Sequence, residues 1–159
     1  MRRKRASLAI LAVCILLADP TLAIGRTARV RLAPADVVLL RVQGAGVGTS
    51  GQQAIQSRVL AGDPTSPGPY TIEILVPPHT RIAAHTHRDD RSAVVVSGIW
   101  YLGYGNAASE AELKLLPQGS FYTEPGGEPH FAMTRDVAAV IYISGFGPTD
   151  TQFATGNPP

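Results

Sequence analysis

Residues 79–98 read His79-Thr-Arg-Ile-Ala-Ala-His85-Thr-His87-Arg-Asp-Asp-Arg91-Ser-Ala-Val-Val-Val-Ser-Gly98, and residues 119–134 read Gly119-Ser-Phe-Tyr-Thr-Glu-Pro125-Gly-Gly127-Glu-Pro-His130-Phe-Ala-Met-Thr134. Ile82 to His87 reads as a short strand, and successive strand residues point to opposite faces, so the i, i+2 pair His85 and His87 projects from one face. That separation suits two imidazoles sharing one ion, and imidazole serves Fe, Mn, Ni, Cu or Zn. An isolated His-x-His is weak evidence, because such pairs arise by chance on solvated strands. The second segment adds a strand, a tight Pro/Gly turn and a third histidine, His130, opening the next strand.

The two segments resemble the two motifs of the cupins, G-x5-H-x-H-x3/4-E-x6-G and G-x5-P-x-G-x2-H-x3-N. On this chain the first falls on His79, His85, His87, Arg91 and Gly98, and the second on Gly119, Pro125, Gly127, His130 and Thr134. The stretches Gly62-Asp-Pro, Pro67-Gly-Pro-Tyr70, Ser97-Gly98-Ile-Trp-Tyr-Leu-Gly103 and Gly145-Phe-Gly-Pro148 also resemble small exported cupins of unassigned function. The resemblance implies an all-β fold, the cupin-type double-stranded β-helix or jelly-roll barrel, with its conserved part over residues 70–147. It further implies one divalent metal ion held by His85, His87 and His130, a small-molecule ligand and, since small cupins commonly pair through edge strands or barrel faces, a homodimer.

The departures bear on chemistry. His79 stands where the family has Gly and reads as a surface turn residue after Pro77-Pro78; Thr134 replaces Asn at a structural position. Arg91 fills the slot of the fourth family ligand, a glutamate, and a guanidinium cannot coordinate a metal and stays charged. Three readings stay open: Arg91 beside a three-histidine site binds an anionic substrate group, Arg91 turns outward or pairs with Asp89, Asp90 or Glu128, or the site is degenerate and binds a small molecule without metal. Asp89, Asp90 and Glu124 are within reach as replacement carboxylates. Trp100, Tyr101, Phe121, Tyr122 and Phe131 are expected to line the barrel, with Tyr101 and Tyr122 joining Arg91 as substrate-contact candidates.

Working outward, Tyr70 to Val76, Ala93 to Ser97, Ile99 to Tyr104 (bent from its predecessor at Gly98), Gly119 to Thr123, Phe131 to Thr134 and Val137 to Ser144 read as further strands. Val37 to Val42 is also read as a strand, residues 24–35 as an arm or edge strand, and Ala107 to Leu115 as a short helix or turn. Gly44 to Gln53 is a loop; its glycines lack the strand-to-helix setting of a dinucleotide site and the Lys-Ser/Thr of a P-loop. Gly62 to Pro69 is dense turn chemistry, and the tail from Gly145 is expected to be irregular. Many short strands with Gly and Pro corners suit a sandwich or barrel.

At the N-terminus, Met1-Arg-Arg-Lys-Arg5, the apolar run Ala6 to Ala18 and the small residues of Thr21-Leu-Ala23 form the three-part layout of a secretory signal peptide. The run is short of the roughly 20 residues of a membrane span. Residues 1–23 are therefore expected to be removed, leaving 24–159 as a single domain, periplasmic or extracellular, with no stable membrane insertion. Cys14, the sole cysteine, would leave too, so stability would rest on a packed core without a disulfide. The chain has 14 basic and 12 acidic residues; subtracting the four basic and one acidic residue of 1–23 leaves 10 and 11, which argues against nucleic acid. No Ser-His-Asp arrangement is apparent. Two functional classes remain: a metal-dependent enzyme, led by a mononuclear oxygenase acting on a small organic molecule, anionic where Arg91 binds it, or a non-catalytic binding or sensing module.

Overall fold

The structure, a computed structural model, describes residues 28–44, 46 and 49–154. The predicted signal segment lies outside the described residues. Among the described residues no helix is long and apolar enough to cross a membrane.

Nine strands are described: β1 (Gln56–Ala61), β2 (Gly68–Val76), β3 (Arg81–Thr86), β4 (Arg91–Tyr104), β5 (Lys114–Pro117), β6 (Phe121–Glu124), β7 (His130–Met133), β8 (Ala139–Gly147) and β9 (Gln152–Phe153). Every pairing is antiparallel, in the order β1-β2-β8-β4-β7-β3-β9, with β5 and β6 also on β4. The long strand β4 serves both faces of the barrel. Residues 91–98 pair with β6 and β8, and residues 99–104 pair with β5 and β7. This is the cupin jelly roll, as the two motifs imply.

The inward positions follow strand alternation. Ile72, Ile74 and Val76 of β2 meet Ala139, Ile141 and Ile143 of β8, with Ala93, Val95, Trp100 and Leu102 of β4 completing the core. Each large aliphatic side chain fully buried here contributes about 1.5–3 kcal/mol. The crossing of β4 from one face to the other turns on Gly98, at φ 78°. A Cβ at Gly98 would lie 1.8 Å from the carbonyl oxygen of Ala138, which is backbone and cannot swing away. Gly98→Ala therefore combines left-handed strain with a backbone clash and is expected to lower stability by about 2–4 kcal/mol, read from urea unfolding.

Several sequence expectations need correction. Val37 to Val42 is not a strand: Pro34–Val37 forms a helical turn, α1, with Pro34 leading and Asp36 accepting from the Ala33 amide at 2.7 Å. Residues 28–33 carry no strand. The short helix or turn read over Ala107 to Leu115 is a 3-10 turn, Glu110–Glu112, but the end of that stretch belongs to β5, Lys114–Pro117. The tail is not wholly irregular, since β8 continues to Gly147 and β9 pairs with His85 and Thr86. His79 is, as expected, an exposed turn residue at φ 57°, with Asp136 3.7 Å away. Thr134 is fully buried and its hydroxyl joins the Thr80 amide to the Pro77 carbonyl, so it stitches that turn to β7.

Candidate metal centre

His85 is the penultimate residue of β3 and His130 opens β7, and the two are direct cross-strand partners. His87 follows β3 by one residue, on the same side as His85. Their ring centroids lie 4.9 Å (His85–His87), 4.4 Å (His85–His130) and 5.2 Å (His87–His130) apart. One candidate ligand nitrogen from each ring lies within 4.8 Å of the others, and all three residues are buried.

The turn after β3 is clasped from several sides, which fixes His87. Asp89 accepts from Tyr70 Oη at 2.8 Å and from Thr149 Oγ1 at 2.5 Å. Asp90 accepts from the Gly126 amide at 2.7 Å, and Arg88 is held by Asp150 through its amide at 2.8 Å and its Nε at 3.0 Å. Asp89 and Asp90 are thus committed to holding the turn, and Glu128 is exposed.

A backbone carbonyl can only accept, and this sets each imidazole tautomer. His85 Nδ1 contacts the Ala83 carbonyl at 2.7 Å, His130 Nδ1 that of Glu128 at 3.3 Å, and His87 Nδ1 that of Asp150. The proton therefore sits on Nδ1 in all three rings, leaving the Nε2 lone pairs for the interior. This is the outer-shell arrangement that orients metal-ligating histidines. His130 Nε2 is buried with no hydrogen-bond partner among the described residues. The donor set fits a divalent ion: three neutral imidazole nitrogens lie within 4.8 Å of one another.

Arg91 points inward. Its guanidinium lies between Glu124 and His87, with Nε donating to Glu124 Oε2 at 2.6 Å, Nη2 donating to the same oxygen, and Nη2 donating to His87 Nε2 at 2.6 Å. Arg91 and Glu124 are both 4% exposed and are cross-strand partners at the β4–β6 register. Of the carboxylates weighed from the sequence, it is Glu124 that reaches the site.

Electrostatics follow the burial. Burial, then the neighbouring His130, brings His85 down to about 4; burial, then Arg91, brings His87 to about 3; His130 is lowered chiefly by burial. Burial alone would raise the Glu124 carboxyl, but the Arg91 guanidinium outweighs it and holds the group down to about 2. At neutral pH the site is three neutral imidazoles beside a paired cation and anion, the protonation state a metal requires. The same shifts predict acid lability in chelator-treated protein. His85, neutral in the fold and near 6.5 when unfolded, contributes stability that is present above 6.5 and lost as pH falls toward 4, on the order of 3 kcal/mol. Glu124 extends the loss below 4.5 toward 2. Urea midpoints measured from pH 7 to pH 4 should fall, and the fall should flatten in His85→Ala.

The interior pocket is lined by Thr49, Ser50, Trp100, Leu102, Tyr122 and Ile143 besides His85, Arg91, Glu124 and His130, and its free volume of about 10 Å³ admits at most one water. On the outer side of β4, β6 and β8, Arg91 also borders an open groove of about 570 Å³ with Asp90, Ser92, Thr123, Pro125, Ser144, Gly145 and Phe146. Of the aromatic candidates, Tyr122 lines the interior. Tyr101 does not: β4 turns Trp100 and Leu102 inward, and Tyr101 faces out beneath Arg135, 4.8 Å from its ring centroid. Phe121 is 63% exposed, and Phe131 is buried on the face opposite His130, beside Gly103.

Fold and site together define a cupin whose barrel encloses three histidines. The chain belongs to the family described as a domain of unknown function, DUF4437, whose model matches residues 39–159. None of the curated proteins matches it. Similar solved structures include the polyketide cyclase RemF from Streptomyces resistomycificus, 16% identical over 82% of this chain and 90% of that one, with a TM-score of 0.60. A cupin 2 conserved barrel domain protein from Rhodopseudomonas palustris is 14% identical over 81% and 87%, at 0.59. An RmlC-like cupin from Shewanella frigidimarina is 14% identical over 69% and 86%, at 0.53. At these identities the likeness is one of fold.

Proposed function

We propose that this protein is a mononuclear metal cupin, with His85, His87 and His130 holding one divalent ion, and that it oxygenates a small organic molecule. The observation that carries the reading is the set of three Nδ1–H groups anchored on carbonyls, which turns three buried lone pairs toward one point. When bound, an ion with open coordination positions supplies Lewis-acid polarisation and, if it is iron, redox chemistry with dioxygen. The chain's own residues hold the imidazoles neutral and, through Trp100, Leu102, Tyr122 and Ile143, keep bulk water out. Arg91 faces the interior from β4, beside His87 and Glu124. Its charge is already balanced by Glu124, so an anionic substrate group would have to compete with a buried carboxylate, and a neutral chelating substrate fits better. Export and homodimerisation belong to the same proposal; the first rests on residues 1–23 and the second on the fold class.

A second reading has its own observation. Arg91 Nη2 occupies the His87 lone pair, so the guanidinium can act as a resident cation in a metal-free binding module. Oxygen uptake by iron-loaded protein, screened over small diols, enols and carboxylic acids, separates the two. Substrate-dependent uptake abolished by His85→Ala supports the oxygenase. Small-molecule binding that is indifferent to added metal and to His85→Ala supports the binding module.

A further inference from the structure

Pairing with Arg91 engages only one oxygen of the buried Glu124 carboxylate. Glu124 Oε1 lies 3.7 Å from His130 Nε2, and Glu124 Oε2 lies 3.9 Å from His87 Nε2. The His130 proton is on Nδ1, so at 3.7 Å a neutral lone pair faces an anionic oxygen, both of them acceptors, in a buried setting. Such an arrangement is unfavourable unless a proton or a cation bridges it. The spacing suits a cation: two metal–ligand bonds of about 2.1 Å span about 3.0 Å at a right angle and about 4.2 Å when opposed. The Oε1–His130 distance, the one that concerns the oxygen Arg91 leaves free, falls inside that interval.

The strand register explains where the carboxylate comes from. Arg91 on β4 holds the position at which the cupin motif has its glutamate, and its direct partner across the β4–β6 pairing is Glu124. Both Arg91 Nε and Nη2 donate to Glu124 Oε2, which leaves Oε1 on the histidine side. The carboxylate thus sits on the strand that faces the motif's glutamate position.

We infer that Glu124 is the fourth, anionic ligand of the metal centre, bonding through Oε1 while Arg91 clamps Oε2. The inference rests on the three-histidine reading, and His87 must exchange its hydrogen bond from Arg91 for the ion. It predicts a site with one negative ligand supplied from the second motif's strand, and a guanidinium that sets the carboxylate's orientation.

The test is Co(II) binding by chelator competition, with visible absorption recorded, on wild type, His85→Ala, Arg91→Met and the double variant Arg91→Met/Glu124→Gln. The double variant removes both charges, so neither is left buried alone. Affinity at least about tenfold weaker in the double variant than in Arg91→Met, with a shifted Co(II) spectrum, is expected. Equal affinities would overturn the inference and reduce Glu124 to a counter-charge for Arg91. Should Arg91→Met fold poorly, the spectra decide: a double variant whose Co(II) spectrum matches wild type overturns it equally. Loss of binding in His85→Ala with no change in the double variant defeats this inference alone, whereas a wild type that binds no Co(II) defeats the three-histidine reading as well.

Discussion

Glu124→Ala is expected to destabilise the protein by about 3–5 kcal/mol, because it strands the Arg91 guanidinium in the barrel. For a chain of this size that is a fall in Tm on the order of 10 °C. The reasoning turns on an asymmetry between the partners. Arginine cannot shed its charge, and Glu124 is the leading group that offsets the burial of Arg91 and raises its proton affinity. Glutamate can take up a proton, so Arg91→Met should cost less, and its cost should shrink as pH falls and the orphaned carboxyl neutralises. Replacing both, as Arg91→Met/Glu124→Gln, should recover most of the lost stability. Urea unfolding of the three variants at pH 7 and pH 5 checks the ranking. Equal losses for both single variants, unchanged by pH, would mean the pair contributes packing and not charge.

Saturating divalent metal should stabilise the wild type strongly and the His85→Ala/His130→Ala double variant not at all. An ion that binds the folded state alone at a hundred times its dissociation constant adds about 2.7 kcal/mol, and a thousandfold excess about 4.1 kcal/mol. The effect should vanish at acid pH, since each imidazole must be neutral to coordinate. Both histidines are buried with lowered pKa values, so the double variant loses their share of the acid lability along with the metal response, while His87 keeps its own. Thermal melts across Fe, Mn, Ni, Cu and Zn, with and without chelator, separate metal-specific gains from general salt effects. Equal metal-induced shifts in wild type and double variant would place the binding elsewhere.

Much of this molecule is legible from spacing. His85 and His87 two apart, His130 after a Pro/Gly turn, and Gly98 at a bend each state a local geometry that the fold then realises. What spacing does not carry is phase and register. Trp100 and Tyr101 are adjacent on β4, so one of them must face outward, and composition does not say which; the structure turns Tyr101 out beneath Arg135. Phe121 and Tyr122 pose the same choice, and Tyr122 takes the interior. The Arg91–Glu124 pair depends on which residue of β6 faces Arg91, a matter of hairpin register. One signal was present: Tyr122 and Glu124 lie two apart on a strand, so an inward Tyr122 carries Glu124 inward too. The strand expected over Val37 to Val42 failed for a different reason. Pro34 and Asp36 set a helical turn that ends at Val37, and the amides of Val38, Leu39 and Leu40 bond back to Pro34, Asp36 and Val37, which turns the chain where a strand would extend.

Elemental analysis of purified wild type beside His85→Ala/His130→Ala puts the three-histidine centre to its most direct test. The expected result is close to one equivalent of a transition metal per chain in the wild type and none in the double variant. A wild type that carries no stoichiometric metal after metal-replete preparation, both with and without oxygen, would contradict it.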